Sequence, residues 1–246
     1  MSLRIGFDMD GVLADFASAY HDVEARLFGP RTVTRAGSPE EESIAREGEG
    51  AAEPGPGDAP PDAAPADASA LEATRELRRR RDVIWQAIRE TPDFWTSLTP
   101  TREGAVRRIH EMMLRHRWEV FFITQRPKTE GDTVQRQTQR WLVAQGFDLP
   151  SVLVIPGSRG GVAAALALDY HVDDSPKNCV DIRSDSNARP ILIVDTDDEM
   201  TARSARKLGI ASALSIDACL DILDQASLAR TEPGLLSRLA QMIGWK

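Results

Sequence analysis

Cysteine and lysine are both scarce in this chain of 246 residues, and each scarcity excludes something. The only cysteines are Cys179 and Cys219, so neither a disulfide framework nor a four-cysteine zinc site is available. Lysine is confined to positions 128, 177, 207 and 246, so arginine carries most of the positive charge. The net charge of −8 at pH 7 argues against general nucleic-acid binding, because that role depends on neutralising phosphates.

Long apolar runs are also absent. The longest candidates, near 120–123 and 191–194, are far too short to span a bilayer, so no membrane role is predicted. The N-terminus enters a strand-like segment without the basic-then-apolar pattern of a secretion signal. We therefore expect a cytoplasmic protein with two reduced thiols. A chain with 41% hydrophobic residues and this length suits one domain with an insertion, or two small domains.

The most informative segment is 7–16, with the sequence FDMDGVLADF. It follows an apolar run ending at Phe7, which predicts a short buried strand. Asp8 and Asp10 would point the same way at the end of this strand, and Gly11 permits a sharp turn. Crowded carboxylates are costly unless a cation or a shared proton relieves their repulsion. The pair is therefore a candidate for metal and phosphate chemistry, and the alternative is a solvated turn after a strand.

After this segment the chain changes character twice. Apolar residues at helical spacing predict a helix from Phe16 to Leu27. The stretch at about 36–70 is rich in proline, alanine and glutamate, and we predict a disordered insertion because it has too little apolar surface to offset its ordering entropy. Helical composition then resumes through Ile88. Its run of four arginines, 78–81, suits a solvated helix face or a surface that attracts anions.

From Pro100 onward, predicted strands alternate with predicted helices. The strands are continuous apolar runs at 119–123, 152–155, 170–172 and 191–194. The helices are expected near 102–116, 133–145, 161–168, 200–208, 218–223 and 235–243. Alternation of this kind predicts an α/β fold, a doubly wound parallel sheet covered on both faces, with a helical insertion after the first strand.

Polar residues directly follow most of these strands. In an open α/β sheet, ligands bind beyond the carboxyl ends of the strands. The residues at those positions are Asp8 and Asp10, Thr124, Gln125 and Arg126, Asp173 and Asp174, and the acidic segment 195–198. Their recurrence at successive strand ends predicts one assembled site.

These motifs resemble those of the haloacid dehalogenase-like (HAD) phosphohydrolases. The box Asp8-x-Asp10-Gly11, Thr124 after a hydrophobic strand, and Asp173-Asp174 look like motifs I, II and IV of that superfamily. The resemblance implies the strand order 5-4-1-2-3, which would bring the first and fourth strands side by side. It also implies a catalytic core of residues 1–15 and 100–246, with a small helical C1 cap at 16–99.

The resemblance implies the catalytic roles as well. Asp8 would be the nucleophile that forms an aspartyl-phosphate, and Asp10 would act as general acid and then general base. The cofactor would be Mg²⁺, held by Asp8, the backbone carbonyl of Asp10, Asp173 and Asp174, because Mg²⁺ prefers oxygen ligands.

A second group would bind the phosphate. By resemblance, Thr124 would donate its hydroxyl, with Gln125 beside it, and Arg159 would supply the positive charge of motif III, where many members have lysine. Arginine preserves that role because it stays charged and bridges oxyanions. The alternatives are a strand-end cap for Thr124 and a surface position for Arg159, with Lys177 as another residue for anion contact.

The box resembles that of the 5′(3′)-deoxyribonucleotidase branch in particular, and 94–100 is similar to the return from the cap of that branch. A cap over the site would carry specificity. Candidate substrate contacts are aromatic residues able to stack on a base: Phe16, Tyr20, Trp85, Phe94 and Trp95. Packing within the cap is the alternative use of these side chains.

With this resemblance, the sequence predicts a Mg²⁺-dependent phosphatase whose partner is a small phosphorylated substrate. A nucleoside monophosphate is the first substrate class that we predict. Two alternatives keep the same fold and chemistry: a phosphotransferase or mutase, and a sugar-phosphate phosphatase. A third is a non-enzymatic interaction protein that uses the acidic insertion as its contact region.

Overall fold

The computed structural model describes residues 2–29 and 68–231, and its centre is a parallel sheet. The six strands in the described part are β1 (Arg4–Asp8), β2 (Glu119–Thr124), β3 (Ser151–Val154), β4 (Tyr170–Asp173), β5 (Arg189–Ile193) and β6 (Ala211–Ala213). Their order is β3-β2-β1-β4-β5-β6. The predicted order of five strands is thus confirmed, and β6 extends the sheet at one edge.

Helices connect the strands and cover the sheet. They are α1 (Phe16–Phe28), α2 (Ala68–Glu90), α3 (Ala105–His116), α4 (Val134–Ala144), α5 (Arg159–Ala165), α6 (Pro176–Asp185), α7 (Glu199–Lys207) and α8 (Ile216–Thr231), with a short 3₁₀ turn at Phe94–Thr96. The sequence analysis did not predict α6. Its start has a recognisable signal, because Ser175 caps it and proline occupies its first turn.

Two of the apolar clusters in the described part of the chain lie on opposite faces of the sheet. On one side, Ile5 and Phe7 of β1 belong to the large core, which also holds buried residues of α1, α2, α3 and α8. On the other side, Ile123 of β2 packs with Leu168 and with Ile182 of α6. Because side chains alternate along a strand, the side chain of Asp8 points to the opposite face of the sheet from that of Phe7.

Two predictions fall on residues outside the described ranges. The predicted helix at 235–243 lies there, as does the predicted insertion at about 36–70, except for its last three positions, with which α2 begins. Helix α1 packs against α2, and their buried residues belong to the same core as the sheet. The boundary between core and cap stays a prediction. No described helix combines the length and the apolar character needed to cross a membrane.

Candidate active site

The turn after β1 brings two acidic residues together. β1 ends at Asp8, and Gly11 then donates its backbone N–H to the carbonyl of Ala14 at 2.9 Å. Gly11 has a φ of +77°, in the left-handed region that favours glycine. A Cβ at this position would overlap the carboxylate of Asp174. The absence of a side chain therefore lets Asp174 lie against the loop that carries Asp10.

Arg159 contacts the candidate nucleophile directly. Its Nη2 donates to Oδ1 of Asp8 at 2.5 Å, and its Nε lies 3.8 Å from Oδ2 of Asp173. The side chains of Arg159 and Asp8 are 5% and 8% exposed. Arg159 is the first residue of α5, which Ser158 caps by accepting the N–H of Gly160 at 3.1 Å. Arg159 is therefore buried at the site, and the alternative of a surface position is wrong.

Asp173 is fully buried at the end of β4 and is held on both oxygens. Its Oδ1 accepts the backbone N–H of Ser175 at 2.9 Å and the amide of Asn178 at 3.2 Å. Its Oδ2 lies 3.2 Å from Nε2 of His171, which is also fully buried. Strand β4 pairs with β1 with His171 opposite Gly6 and Val172 opposite Phe7, so Asp173 is brought beside Asp8 as the predicted strand order implied.

Burial is the largest single influence on the pKa of Asp8, Asp173 and Asp174. It raises the pKa of Asp8 well above its usual value, against the opposing charge of Arg159, while the negative charge of Asp173 adds to the rise. Burial also acts on Asp173, but its hydrogen bond with His171 and the charges of His171 and Arg159 outweigh burial and lower the pKa. Burial and the neighbouring charge of Asp173 raise the pKa of Asp174 to about 8.

The cluster carries more negative than positive charge. It contains the carboxylates of Asp8, Asp10, Asp173 and Asp174 and the guanidinium groups of Arg126 and Arg159, so four negative and two positive charges leave −2 when all are ionised. Within residues 2–29 and 68–231, no three acidic, histidine or cysteine side chains are grouped as a ready metal site. The donors still suit Mg²⁺ chemically, because they are carboxylate oxygens whose raised pKa values a divalent cation would reverse.

Asp10 is held by a residue to which the sequence analysis gave no role. Arg126 donates from Nε to Oδ1 and Oδ2 of Asp10 at 3.1 and 2.9 Å, and from Nη2 to Oδ1 at 2.6 Å. The side chain of Arg126 is 0% exposed and that of Asp10 is 26% exposed. The partners are 116 positions apart, so no local pattern could pair them. The only signal in the sequence was the position of Arg126 directly after the predicted strand.

The residues predicted to bind phosphate reach the same edge. Thr124 is the last residue of β2 and is buried, and its Oγ1 accepts the N–H of Arg126 at 3.4 Å. The side-chain amide of Gln125 donates to the carbonyl of Gly157 at 2.7 Å, which ties β2 to the loop before α5. Oε1 of Gln125 is buried, and no residue in the described part of the chain forms a hydrogen bond with it. Contact of Thr124 and Gln125 with phosphate stays a prediction.

The five aromatic residues proposed as substrate contacts pack on one another. The ring of Phe16 lies 5.4 Å from that of Trp85, 5.6 Å from that of Trp95, 5.9 Å from that of Tyr20 and 6.5 Å from that of Phe94. All five are buried. These contacts match the packing alternative, and stacking on a substrate base stays a prediction.

Two other polar candidates lie on the surface. Lys177, considered as an alternative anion contact, is exposed. The acidic segment 195–198 after β5 is exposed too, and Asp198 caps α7 by accepting the N–H of Thr201 at 3.0 Å. This segment therefore has a local structural role, unlike the acids that follow β1 and β4.

Comparisons with known proteins bear on the fold. No protein-family model and no curated protein matches the chain. A solved hydrolase from Pseudomonas syringae is similar, with 14% identity and a TM-score of 0.51, over 92% of this chain and 99% of that one. A phosphonoacetaldehyde hydrolase-like protein from Oleispira antarctica has 12% identity and a TM-score of 0.49, over 98% and 94% of the two chains. A HAD hydrolase of family IA, variant 3, from Entamoeba histolytica has 13% identity and a TM-score of 0.42, over 88% and 94%.

Identities this low establish a likeness of architecture, and one architecture serves many activities. Within residues 2–29 and 68–231, the chain has a parallel α/β fold like that of the Pseudomonas syringae hydrolase.

Proposed function

We propose that this protein is a Mg²⁺-dependent phosphatase that hydrolyses a small phosphomonoester through a covalent intermediate on Asp8. The observation that carries the proposal is the buried contact of Asp8 with Arg159, at the strand edge where Asp10 and Asp173 also lie. A buried carboxylate beside a fixed positive charge suits attack on an anion, because the cation offsets repulsion between nucleophile and phosphate.

The roles follow from the contacts. Arg159 engages Oδ1 of Asp8, which leaves Oδ2 to attack phosphorus. As the new P–O bond forms, the bond to the leaving oxygen breaks and its electron pair stays on that oxygen, which takes a proton from Asp10. Water then attacks the phosphorus, Asp10 accepts the water's proton, and the bond from phosphorus to Asp8 breaks. The products are inorganic phosphate and the regenerated carboxylate.

The metal would complete the charge balance. Asp8, Asp173, Asp174 and the backbone carbonyl of Asp10 would hold Mg²⁺, and the excess of carboxylates over guanidinium groups at the site favours a divalent cation. When bound, Mg²⁺ would neutralise the transferring phosphoryl group. His171, Ser175 and Asn178 hold Asp173 in one orientation.

For the substrate we propose a nucleoside monophosphate as the first class to test. The support is the sequence of the 7–16 segment and the aromatic cluster that adjoins it, in which Phe16 directly follows the Asp10 loop. The proposal for hydrolysis does not depend on this choice, because the catalytic contacts involve only the phosphate end of a substrate.

The test is phosphate release from 5′- and 3′-nucleotides, sugar phosphates and 4-nitrophenyl phosphate, with Mg²⁺ and with EDTA. We expect release that EDTA abolishes, and a phosphorylated peptide containing Asp8 after acid quenching. Failure to release phosphate from every compound would overturn the proposal. Transfer to an added sugar hydroxyl in place of water would establish the phosphotransferase alternative.

A further inference from the structure

The charged side chain of Arg126 is fully enclosed at the site. Besides its hydrogen bonds to both oxygens of Asp10, it donates from Nη1 to Oγ1 of Thr138 on α4 at 3.1 Å. Its Cζ lies 4.8 Å from the centroid of the Trp95 ring, in a cation–π arrangement. The planar guanidinium is thus fixed at its edges by Asp10 and Thr138, and by Trp95 against its face.

Arg126 and Asp10 differ in the exposure of their side chains. No part of its side chain is exposed, whereas 26% of the Asp10 side chain is. Arg126 therefore holds Asp10 from the protein side, while the carboxylate keeps access to the open side. A carboxylate has about four lone-pair positions, so Asp10 retains acceptor capacity beyond these bonds. Whatever Arg126 contributes to a reaction, it contributes through Asp10.

Trp95 is itself held in place. Its backbone N–H donates to Oε1 of Gln137 at 3.1 Å, and its indole N–H donates to the carbonyl of Pro127 at 3.0 Å. Its ring also lies 5.6 Å from that of Phe16. Successive side-chain contacts therefore connect the aromatic cluster to Asp10 through Trp95 and Arg126. This geometry gives Trp95 a structural use besides the substrate contact suggested by the sequence.

We propose that Arg126 is the positioning residue for Asp10, and that Trp95 and Thr138 fix the guanidinium for this purpose. The inference rests on the proposed function, since it assigns a partner to the group that transfers protons there. With Arg126 in place, the carboxyl of Asp10 keeps one orientation toward the leaving oxygen. Without its two-oxygen grip, Asp10 rotates freely and proton transfer slows, while attack by Asp8 is unaffected.

A pair of similar compounds isolates proton transfer from the rest of the reaction. 4-Nitrophenyl phosphate releases a stabilised phenolate that needs no proton, whereas 4-nitrobenzyl phosphate releases an alkoxide that does. We expect Arg126→Lys to lower kcat/KM for the benzyl compound by about 100-fold, the lower end of the usual contribution of a general acid. For the phenyl compound, we expect a loss of kcat/KM below about tenfold on the same scale. The ratio kcat/KM reports phosphorylation of Asp8 and release of the alcohol, and it leaves out the later hydrolysis step, in which Asp10 acts for both compounds. Lysine keeps the buried charge but loses the two-oxygen geometry.

Two matched variants define the outcomes. Asp10→Asn should show the same selective loss as Arg126→Lys, and Asp8→Asn should abolish turnover of both compounds. If Arg126→Lys lowers kcat/KM equally for both compounds while Asp8→Asn is inactive, the phosphatase stands and the positioning role falls. If Asp8→Asn keeps its activity, the proposed function itself falls.

A milder variant covers the case in which Arg126→Lys does not fold. Thr138→Val removes the acceptor of Nη1 and leaves Asp10 and Arg126 in place. We expect a benzyl-selective loss of about fivefold, the scale of one hydrogen bond. Equal kcat/KM values for Thr138→Val and the wild type on both compounds, with a cooperative thermal transition, would overturn the role of Thr138 in fixing the guanidinium.

Discussion

The carboxyl edge of the sheet and the surface between α3 and α8 contain the same kinds of ion pair in opposite surroundings. At the sheet edge, Arg159 pairs with Asp8 at 2.5 Å and His171 lies 3.2 Å from Asp173. No member of these pairs has a side chain more than 8% exposed.

On the surface, the corresponding pairs are as short or shorter. Arg108 of α3 lies 2.5 Å from Asp221 of α8, and His116 lies 2.6 Å from Asp224. Here Asp221 is 71% exposed and Asp224 is 28% exposed. Water therefore solvates these carboxylates in both folded and unfolded chains, and the pairs change little on folding.

The difference lies in burial and not in pairing. Burial raises the pKa of Asp8 even though the charge of Arg159 opposes the shift, so the ionised form of this carboxylate is disfavoured in the folded protein. Strongly shifted pKa values of this kind cluster at functional sites. Arg–Asp and His–Asp contacts are therefore informative about function at the sheet edge and uninformative between α3 and α8.

The largest expected effect is on catalysis. Asp8→Asn should lower kcat by at least about a thousandfold, because an amide oxygen is a far weaker nucleophile and this group makes the covalent bond. Asp221→Asn removes a carboxylate from a pair of equal length and should leave kcat within about twofold of wild type, as expected for an exposed pair. Steady-state phosphate release measures both. Comparable losses in the two variants would contradict the distinction drawn from burial.

The histidine pairs should differ in their effect on Mg²⁺. Nδ1 of His171 is buried and has no hydrogen-bond partner among the described residues, whereas Nε2 faces Asp173 and is the nitrogen placed to donate to it. Because a partner of this kind orients a metal-binding carboxylate, His171→Phe should weaken Mg²⁺ binding by about 10- to 100-fold. Isothermal titration with Mg²⁺ measures the affinity directly, without a substrate.

His116→Phe is the matched control for this measurement. It removes the corresponding contact with Asp224 and retains a ring to stack on Trp118. We expect its affinity for Mg²⁺ to equal that of the wild type. An equal loss in both histidine variants, or in neither, would show that His171 does not orient a metal ligand.

A smaller effect concerns stability in EDTA as a function of pH. Asp174 has a pKa of about 8 in the folded protein, against an ordinary value of 3.8. Below pH 3.8 this carboxyl is protonated in both the folded and the unfolded protein, so it does not lower the free energy of unfolding. Between pH 3.8 and about 8 the carboxyl is ionised in the unfolded chain and still protonated in the folded protein, so the free energy of unfolding falls as the pH rises. Asp174→Asn should flatten this decline and raise the free energy of unfolding at pH 8 by several kcal/mol, because each pKa unit corresponds to about 1.4 kcal/mol.

Asp198 provides a control of opposite sign. Its hydrogen bonds with Thr201 lower the pKa of its carboxyl, so its contribution is present above the ordinary pKa and is lost as the pH falls. Asp198→Ala should therefore destabilise the protein at neutral pH, where Asp174→Asn stabilises it. Chemical denaturation at several pH values distinguishes them. Parallel pH profiles for wild type and Asp174→Asn would mean that Asp174 titrates normally.

The sequence predicted the parts of the fold that leave a periodic signal. Continuous apolar runs located the first five strands because strands buried on both faces are apolar throughout. Strand β6 was missed because it is three residues long and consists of Ala211, Ser212 and Ala213, which form no recognisable run. Helix α6 was missed because its polar composition hides an amphipathic pattern, although Ser175 and Pro176 mark its start.

The residues of the candidate site also fall into those that a sequence pattern predicts and those that it does not. Asp8, Thr124, Arg159 and Asp173 could be proposed for the site because each ends a strand or begins a helix, and such positions can be found along the chain. The contact of Arg126 with Asp10 could not, because it depends on how β2 sits beside β1 in the folded sheet. Burial, which decides what each pair does, is likewise a property of the folded chain.

The smallest expected effect comes from the surface pairs themselves. Arg108 donates to Oδ1 and the carbonyl oxygen of Asp217, both at 3.2 Å, and also contacts Asp221, while Arg102 shares Asp217 at 2.9 Å. Arg108→Gln should lower the free energy of unfolding by less than about 1 kcal/mol, because these groups remain partly solvated. The loss should shrink further in 1 M salt, roughly the concentration that screens charges beyond 3 Å.

A double-mutant cycle of Arg108→Gln with Asp221→Asn, measured by urea unfolding at low and high salt, isolates the pairwise term. A coupling that is large and insensitive to salt would mean that the α3–α8 surface excludes water as the sheet edge does. Burial would then no longer distinguish the two regions, and the assignment of function to only one of them would need another basis. A small coupling that salt removes leaves burial as the difference, because the pairs at the surface and at the sheet edge are otherwise alike in partners and in length.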